Sequence, residues 1–169
     1  MQANFHPRPV RKALSNAAPR KTDVLILGAG AAGLMCAREA SAHGLDVALL
    51  ERAPSPGRKL CISGGGKANF TNRRLAAHHY ACDDPAFCEP ALDAFTPQDM
   101  EHLVHSWGLP MEERAHGQMF LTVPAKRLLD ALVQDCHRQG CTLHNVQNRI
   151  PCLFGTSSRS CLSCKRQAG

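Results

Sequence analysis

Val24-Leu25-Ile26-Leu27 is an unbroken apolar run between Asp23 and Gly28. A short run of this kind, with β-branched members and a glycine stop, predicts a strand over residues 22–27, buried on both faces as a parallel sheet requires. An alanine-rich stretch follows, closed by Gly44 after His43, and predicts a helix over 31–43. Apolar character returns at Val47-Ala48-Leu49-Leu50. Residues 46–50 therefore predict a second parallel strand, reached by a right-handed crossover. Gly, Pro and Asn interrupt residues 53–72 repeatedly, which predicts an ordered loop or a ligand-binding segment.

Further on, Met100, Leu103, Val104 and Trp107 recur at helical spacing. Thr96, Pro97 and Asp99 precede them as a cap, a first-turn proline and the second half of a capping box, so a helix is predicted over 96–107. On this spacing Trp107 is a core residue rather than a stacking platform. Leu128, Leu129, Leu132 and Val133 predict another amphipathic helix over 124–138, stopped at Gly140. Residues 141–147 resemble a third strand. Beyond about residue 149 neither period continues, and residues 151–169 read as a tail. The alternation predicts an α/β, Rossmann-like parallel sheet.

The turn between the first strand and helix is chemically specific. Gly28, Gly30 and Gly33 stand at Gly-x-Gly-x-x-Gly spacing. Gly28 permits a tight turn, Gly30 lets backbone approach a pyrophosphate, and Gly33 lets the helix pack on the sheet. The helix start at Ala31 and Ala32 presents unpaired N–H groups to phosphates. Glu51 ends the next strand, 21 residues after Gly30, where a carboxylate can bind ribose hydroxyls. Its charge disfavours a 2′-phosphate, and the neighbouring Arg52 offsets part of that repulsion. A bare glycine motif is weak, but strand, helix and acidic residue all stand where adenine-dinucleotide binding needs them.

A second glycine segment follows: Gly57-Arg58-Lys59, then Ser63-Gly64-Gly65-Gly66-Lys67-Ala68-Asn69-Phe70-Thr71-Asn72. Successive glycine N–H groups can form a nest for an anion, and Arg58, Lys59 and Lys67 add positive charge. A Walker A loop is excluded, because Cys61 and Ala68 stand where glycine and Ser/Thr are required.

Composition narrows the class. The chain has 169 residues, 44% hydrophobic, enough for a packed domain. Its formal charge of +6 resides at the two ends. Residues 1–21 carry five basic and no acidic residues, and 151–169 carry three and none. Residues 22–150 carry 12 basic and all 14 acidic residues. The first 21 residues are expected to be a disordered basic leader; with no basic run or interleaved aromatics, a nucleic-acid arm is the weaker reading. No secretory h-region or 18-residue apolar run is present, so neither export nor membrane insertion is expected. The nine cysteines are scattered and read as cytoplasmic free thiols. Cys161-x-x-Cys164 lacks the second pair of a zinc site, and the nine histidines do not combine at ligand spacing, so no metal is expected.

The two glycine segments, with Glu51-Arg52 between them, resemble the N-terminal part of the BaiN/YhiN-like NAD(P)/FAD-dependent oxidoreductases, some of which are termed aminoacetone oxidase family FAD-binding enzymes. His116-Gly117-Gln118-Met119-Phe120 followed by Ala125-Lys126 is similar to that family's Gly-Arg-x-Phe-Pro and Lys-Ala stretch, departing at Gln118 and Leu121. Ala68 replaces a cysteine often found there. The resemblance covers about residues 22–150 and implies FAD as cofactor, NAD(P)H as electron donor and a small-molecule substrate. FAD's ADP half is expected on Gly28–Gly33 and Glu51, with Arg58, Lys59 and residues 63–72 near the pyrophosphate and flavin. No residue stands out as a catalytic acid or base. Family members are longer, so residues 22–150 correspond to an incomplete FAD-binding domain, and the unrelated tail is what a frameshift or truncation would produce. The expected function is a FAD-binding oxidoreductase with little activity by itself. The alternatives are a non-catalytic dinucleotide-binding fragment and, less favoured, a basic-tailed nucleic-acid binder.

Overall fold

The computed structural model describes residues 21–81 and 83–146. The basic leader, the tail with Cys161 and Cys164, and the last residue of the expected third strand lie outside the described residues.

Two three-stranded sheets organise the described residues. The first joins β1 (Val24–Leu27), β2 (Val47–Glu51) and β6 (Thr142–Asn145) in the order β1-β2-β6, with every pair parallel. Val24 pairs with Val47, and Ala48 with Thr142. Helix α1 (Ala31–Ala42) connects β1 to β2, and α5 (Lys126–Arg138) leads into β6. The βαβ start and the third parallel strand thus agree with the pattern in the sequence, with ends shifted by a residue or two.

The expectation that β1 is buried on both faces needs correction. Val24 and Ile26 are only partly buried, and Leu27 is 67% exposed. Neighbouring side chains of a strand point to opposite faces. Val24 and Ile26 meet the layer formed by α1 and α5, whereas Leu25 and Leu27 join neither core cluster. β2, flanked by strands on both sides, is buried from Val47 to Leu50. Leu34, Ala37, Val47, Leu49, Leu129, Leu132 and Cys136 form the shared core. Burial of one such leucine stabilises by about 1.5–3 kcal/mol.

Residues 53–72, expected as an ordered loop or ligand-binding segment, hold regular elements. They contain α2 (Arg58–Ile62), a tight turn at Ser63–Gly66 and β3 (Asn69–Asn72). β3 has too few residues and too little apolar alternation to announce itself. It forms by pairing with β5 (Gln118–Leu121), which also pairs with β4 (Met111–Glu113) in an antiparallel sheet ordered β3-β5-β4. α3 (Glu89–Ala94) and α4 (Pro97–Ser106) lie between β3 and β4 in the chain. α4 begins as its sequence predicts: Thr96 accepts the Asp99 amide while Asp99 accepts the Thr96 amide. Its Val104 is buried with Ala68, Leu109, Leu121, Ala125 and Leu128, and Met100 packs against them. Trp107 is partly buried against both clusters, consistent with a packing role.

Candidate dinucleotide site

The site is assembled where β1 ends and α1 begins. Gly28 turns the chain with φ +100° and donates its amide to Leu50 at 2.7 Å. Helix and strand then approach so closely that a Cβ built on Gly33 would lie 2.0 Å from the Gly28 carbonyl oxygen. No side chain fits there, so the third glycine is a packing requirement. Gly30 caps α1 with extended backbone, and a Cβ there would meet no protein atom within 4 Å. Ala31 and Ala32 are exposed beside it. α1 has no side-chain cap and no acidic residue in its first turn, so its N-terminal N–H groups remain available to an anion.

Glu51 closes the same turn. Its carboxylate accepts the Ala53 amide at 2.6 Å and the Ala29 amide at 2.7 Å. The Ala53 hydrogen bond, with those from Ala29 and Arg52 and the charge of Arg52, holds the carboxyl below its usual range against the opposing effect of burial. The group is therefore an anion fixed beside the glycine turn. Arg52 itself is exposed. Asn145 donates to the carbonyls of Ala53 and Pro54, both at 2.9 Å, and so fixes the loop that follows Glu51.

The second glycine segment meets the first through one hydrogen bond, from the Gly57 amide to the Ala29 carbonyl at 2.8 Å. Arg58 and Lys59 follow in the exposed first turn of α2. Gly64, Gly65 and Gly66 all have positive φ. A Cβ on Gly64 would lie 2.5 Å from the Asn69 amide nitrogen and 2.8 Å from the Phe120 ring, so glycine is required on both conformational and steric grounds. The loop is tied down: Ala125 donates to Gly66, and Leu121 to Lys67.

Several predicted site residues have structural partners. Ser63 donates to the Leu60 carbonyl at 2.8 Å, and Lys67 Nζ to the Thr122 carbonyl at 2.9 Å. Thr71 pairs with Met119. Asn72 accepts the Arg74 amide at 2.8 Å, next to the close approach of Gly117. Asn69 lies at the start of β3, opposite Phe120. The structure thus brings Gly28–Gly33, Glu51 and Gly57 into one turn, with Arg58 and Lys59 beside it. Thr71 and Asn72 lie in the antiparallel sheet, and Lys67, just before it, is tied to Leu121 and Thr122.

Other polar ties gave no local signal. Arg38 of α1 donates to buried Asp135 of α5 at 2.7 Å, across 97 residues. Arg73 binds Glu101 through two nitrogens at 2.8 and 2.6 Å, and Glu113 at 2.6 Å. That ties the end of β3 to α4 and β4. Arg73 is raised by these two carboxylates and Glu101 is lowered by Arg73. Cys136 donates to the Leu34 carbonyl at 3.2 Å, and burial pushes its thiol up to about 11, so it packs rather than reacts.

This geometry coincides with a family match. Residues 22–162 match the HI0933-like protein Rossmann domain. The chain belongs to this FAD-binding, BaiN/YhiN-like family. It is 39% identical over 120 residues to the ribosomal RNA dihydrouridine synthase of Escherichia coli K12, covering 71% of this chain and 30% of that protein. Identity to the enzyme of the same name from Haemophilus influenzae is 36% over 116 residues, 69% of this chain and 29% of that one. The 3-dehydro-bile acid delta(4,6)-reductase of Clostridium scindens is 29% identical over 116 residues, 68% and 28% of the two chains. The chain thus spans about 30% of the length of these relatives. Among the described residues no helix is long and apolar enough to cross a membrane.

Proposed function

We propose that this chain holds the ADP half of FAD at Gly28–Gly33 and Glu51, as the N-terminal part of a flavoprotein oxidoreductase fed by NAD(P)H. The observation that carries the reading is the joint geometry of the first turn. An uncapped helix start, an open space above Gly30 and a fixed carboxylate meet at one place. The α1 amides would bind the pyrophosphate, Gly30 would leave room for it, and Glu51 would accept ribose hydroxyls. Arg58 and Lys59 would supply charge to the phosphates, and residues 63–72 would line the path toward the flavin. When bound, the flavin supplies the hydride chemistry; the chain's residues bind, orient and shield.

For the substrate, a base of ribosomal RNA is the reading that the two relatives of highest quoted identity favour, since both are named as ribosomal RNA dihydrouridine synthases. A small molecule is the second reading, supported by the bile-acid reductase at 29% identity. A cytoplasmic location accords with both. The test is titration of the purified chain with FAD and ADP-ribose, alongside a filter-binding series with ribosomal RNA at rising salt. Saturable FAD binding lost in Gly30→Val supports the site. Binding of ADP-ribose but not FAD leaves a non-catalytic dinucleotide module. Binding of nucleic acid alone, steeply weakened by salt, overturns the flavin reading.

A further inference from the structure

We propose that Arg114 and Phe120 form a positioning pair that sets the shape of the Gly64–Gly66 loop, and through it the hold on the flavin side of FAD. The inference rests on the FAD reading above and adds two residues to it. Phe120 lies in β5 and is 8% exposed. The edge of its ring fits against Gly64, where a Cβ would come within 2.8 Å of Cε1 and 3.2 Å of Cδ1. The guanidinium carbon of Arg114 sits over its face, 4.1 Å from the ring centroid. The ring therefore lies between the glycine loop and a cation.

The backbone on either side reinforces this contact. Asn69 pairs with Phe120, and the register then shifts before Thr71 pairs with Met119. Lys67 exchanges two bonds with the same stretch: its carbonyl accepts from Leu121 at 2.9 Å and its ammonium donates to Thr122 at 2.9 Å. Gly66 accepts from Ala125 at 2.7 Å. Residues 120–125 thus act as a template for three consecutive positive-φ glycines. Such a run has little conformational preference of its own, because glycine visits both signs of φ readily. Arg114 is itself oriented by Glu112 at 2.7 Å and donates its amide to the Gln118 carbonyl at 2.8 Å.

A loop held this way presents the same amide directions each time a ligand arrives, which lowers the ordering cost of binding. Loss of the ring or of the cation above it should weaken ligands that reach the loop. A ligand confined to Gly28–Gly33 and Glu51 should be unaffected.

The experiment compares FAD and AMP binding by calorimetry to the full 169-residue chain and its variants Arg114→Gln, Arg114→Lys and Phe120→Leu. Arg114 is exposed, so its replacement leaves the core intact. Arg114→Gln is expected to weaken FAD by about two- to fivefold, the scale of one cation–π contact, with AMP unchanged. Arg114→Lys should restore part of the loss, and Phe120→Leu should weaken FAD more than Arg114→Gln does. If the wild-type chain binds FAD no better than AMP, the reading of the glycine loop as a flavin-side contact fails. If the wild-type preference for FAD is present but unchanged in both Arg114→Gln and Phe120→Leu, or if FAD and AMP weaken equally, the positioning role is overturned.

Discussion

The Glu51 carboxylate accepts the Ala29 amide at 2.7 Å. This bond joins the end of the second strand to the middle of the first glycine turn, across 22 residues. The Gly57 amide reaches the carbonyl of the same Ala29. One residue of no chemical distinction thus connects the acidic group, the phosphate turn and the start of the second glycine segment. Any change that moves Ala29 moves all three.

The second and third glycines of the motif should respond differently to substitution. Gly30→Val places its side chain in open space, so the protein should fold with a wild-type urea midpoint yet lose FAD and ADP-ribose binding. Gly33→Ala forces a methyl to within 2.0 Å of the Gly28 carbonyl oxygen and should destabilise the fold by about 1–3 kcal/mol or more. Equal midpoints for the two variants would contradict this assignment of roles.

Glu51 should make stability depend on acid pH. Its carboxyl is held below the usual range by the Ala53 amide first, then the Ala29 amide, with burial opposing. A depressed folded value means that its contribution is complete above the unfolded value, about pH 4.3, and is lost as pH falls through the folded value. Glu51→Gln should be less stable at neutral pH and show a shallower acid limb. Parallel acid limbs in urea titrations between neutral pH and pH 3 would count against this.

Cofactor choice provides a separate check on the same residue. A carboxylate fixed beside the turn repels a 2′-phosphate, so ADP-ribose should bind more tightly than its 2′-phosphorylated form. Arg52 should limit the difference, and Arg52→Ala should widen it. Competition calorimetry with the two nucleotides measures both effects. Tighter binding of the phosphorylated form would remove Glu51 from the ribose.

The α1–α5 layer should depend on Arg38. Arg38→Met keeps the aliphatic stem but leaves Asp135, whose side chain is 10% exposed, with only the 3.3 Å contact to the more exposed Arg138 among the described residues. The expected loss is about 1.5–3 kcal/mol, the range for a hydrogen bond to a charged group. Thermal unfolding of the single variants and of the double variant Arg38→Met/Asp135→Leu checks this, since the double variant should recover part of the loss.

The chain covers about 30% of the length of its relatives, so the described strands should form only part of a flavin site. A dinucleotide site in a doubly wound sheet draws on the carboxyl ends of several strands. The isolated 169-residue chain should therefore lose most of its flavin during purification, while still binding added FAD more tightly than AMP, and should oxidise NAD(P)H slowly or not at all. Absorbance near 450 nm and an artificial-acceptor assay test this. Stoichiometric flavin with steady turnover would show that this chain suffices.

The amino-acid sequence by itself determined the βαβ start, the amphipathic helices α4 and α5 and the glycine turn with Glu51 at its end. Each rests on short-range periodicity or on spacing within one supersecondary unit, and these survive without knowledge of distant contacts. The capping box at Thr96 and Asp99 belongs to the same class. Only the tertiary structure decided that residues 69–72 are a strand, because β3 exists through pairing with β5 nearly fifty residues later. It also decided that β1 has one poorly covered face, since burial depends on which helices arrive and not on the strand's own residues. The same holds for Lys67, whose ammonium is committed to the Thr122 carbonyl, and for the Phe120 ring beneath Gly64. A charged or aromatic residue carries no local mark of its partner when that partner lies 50 or more residues away. The glycine loop is held by contacts to residues 120–125, which no local pattern around the glycines announces.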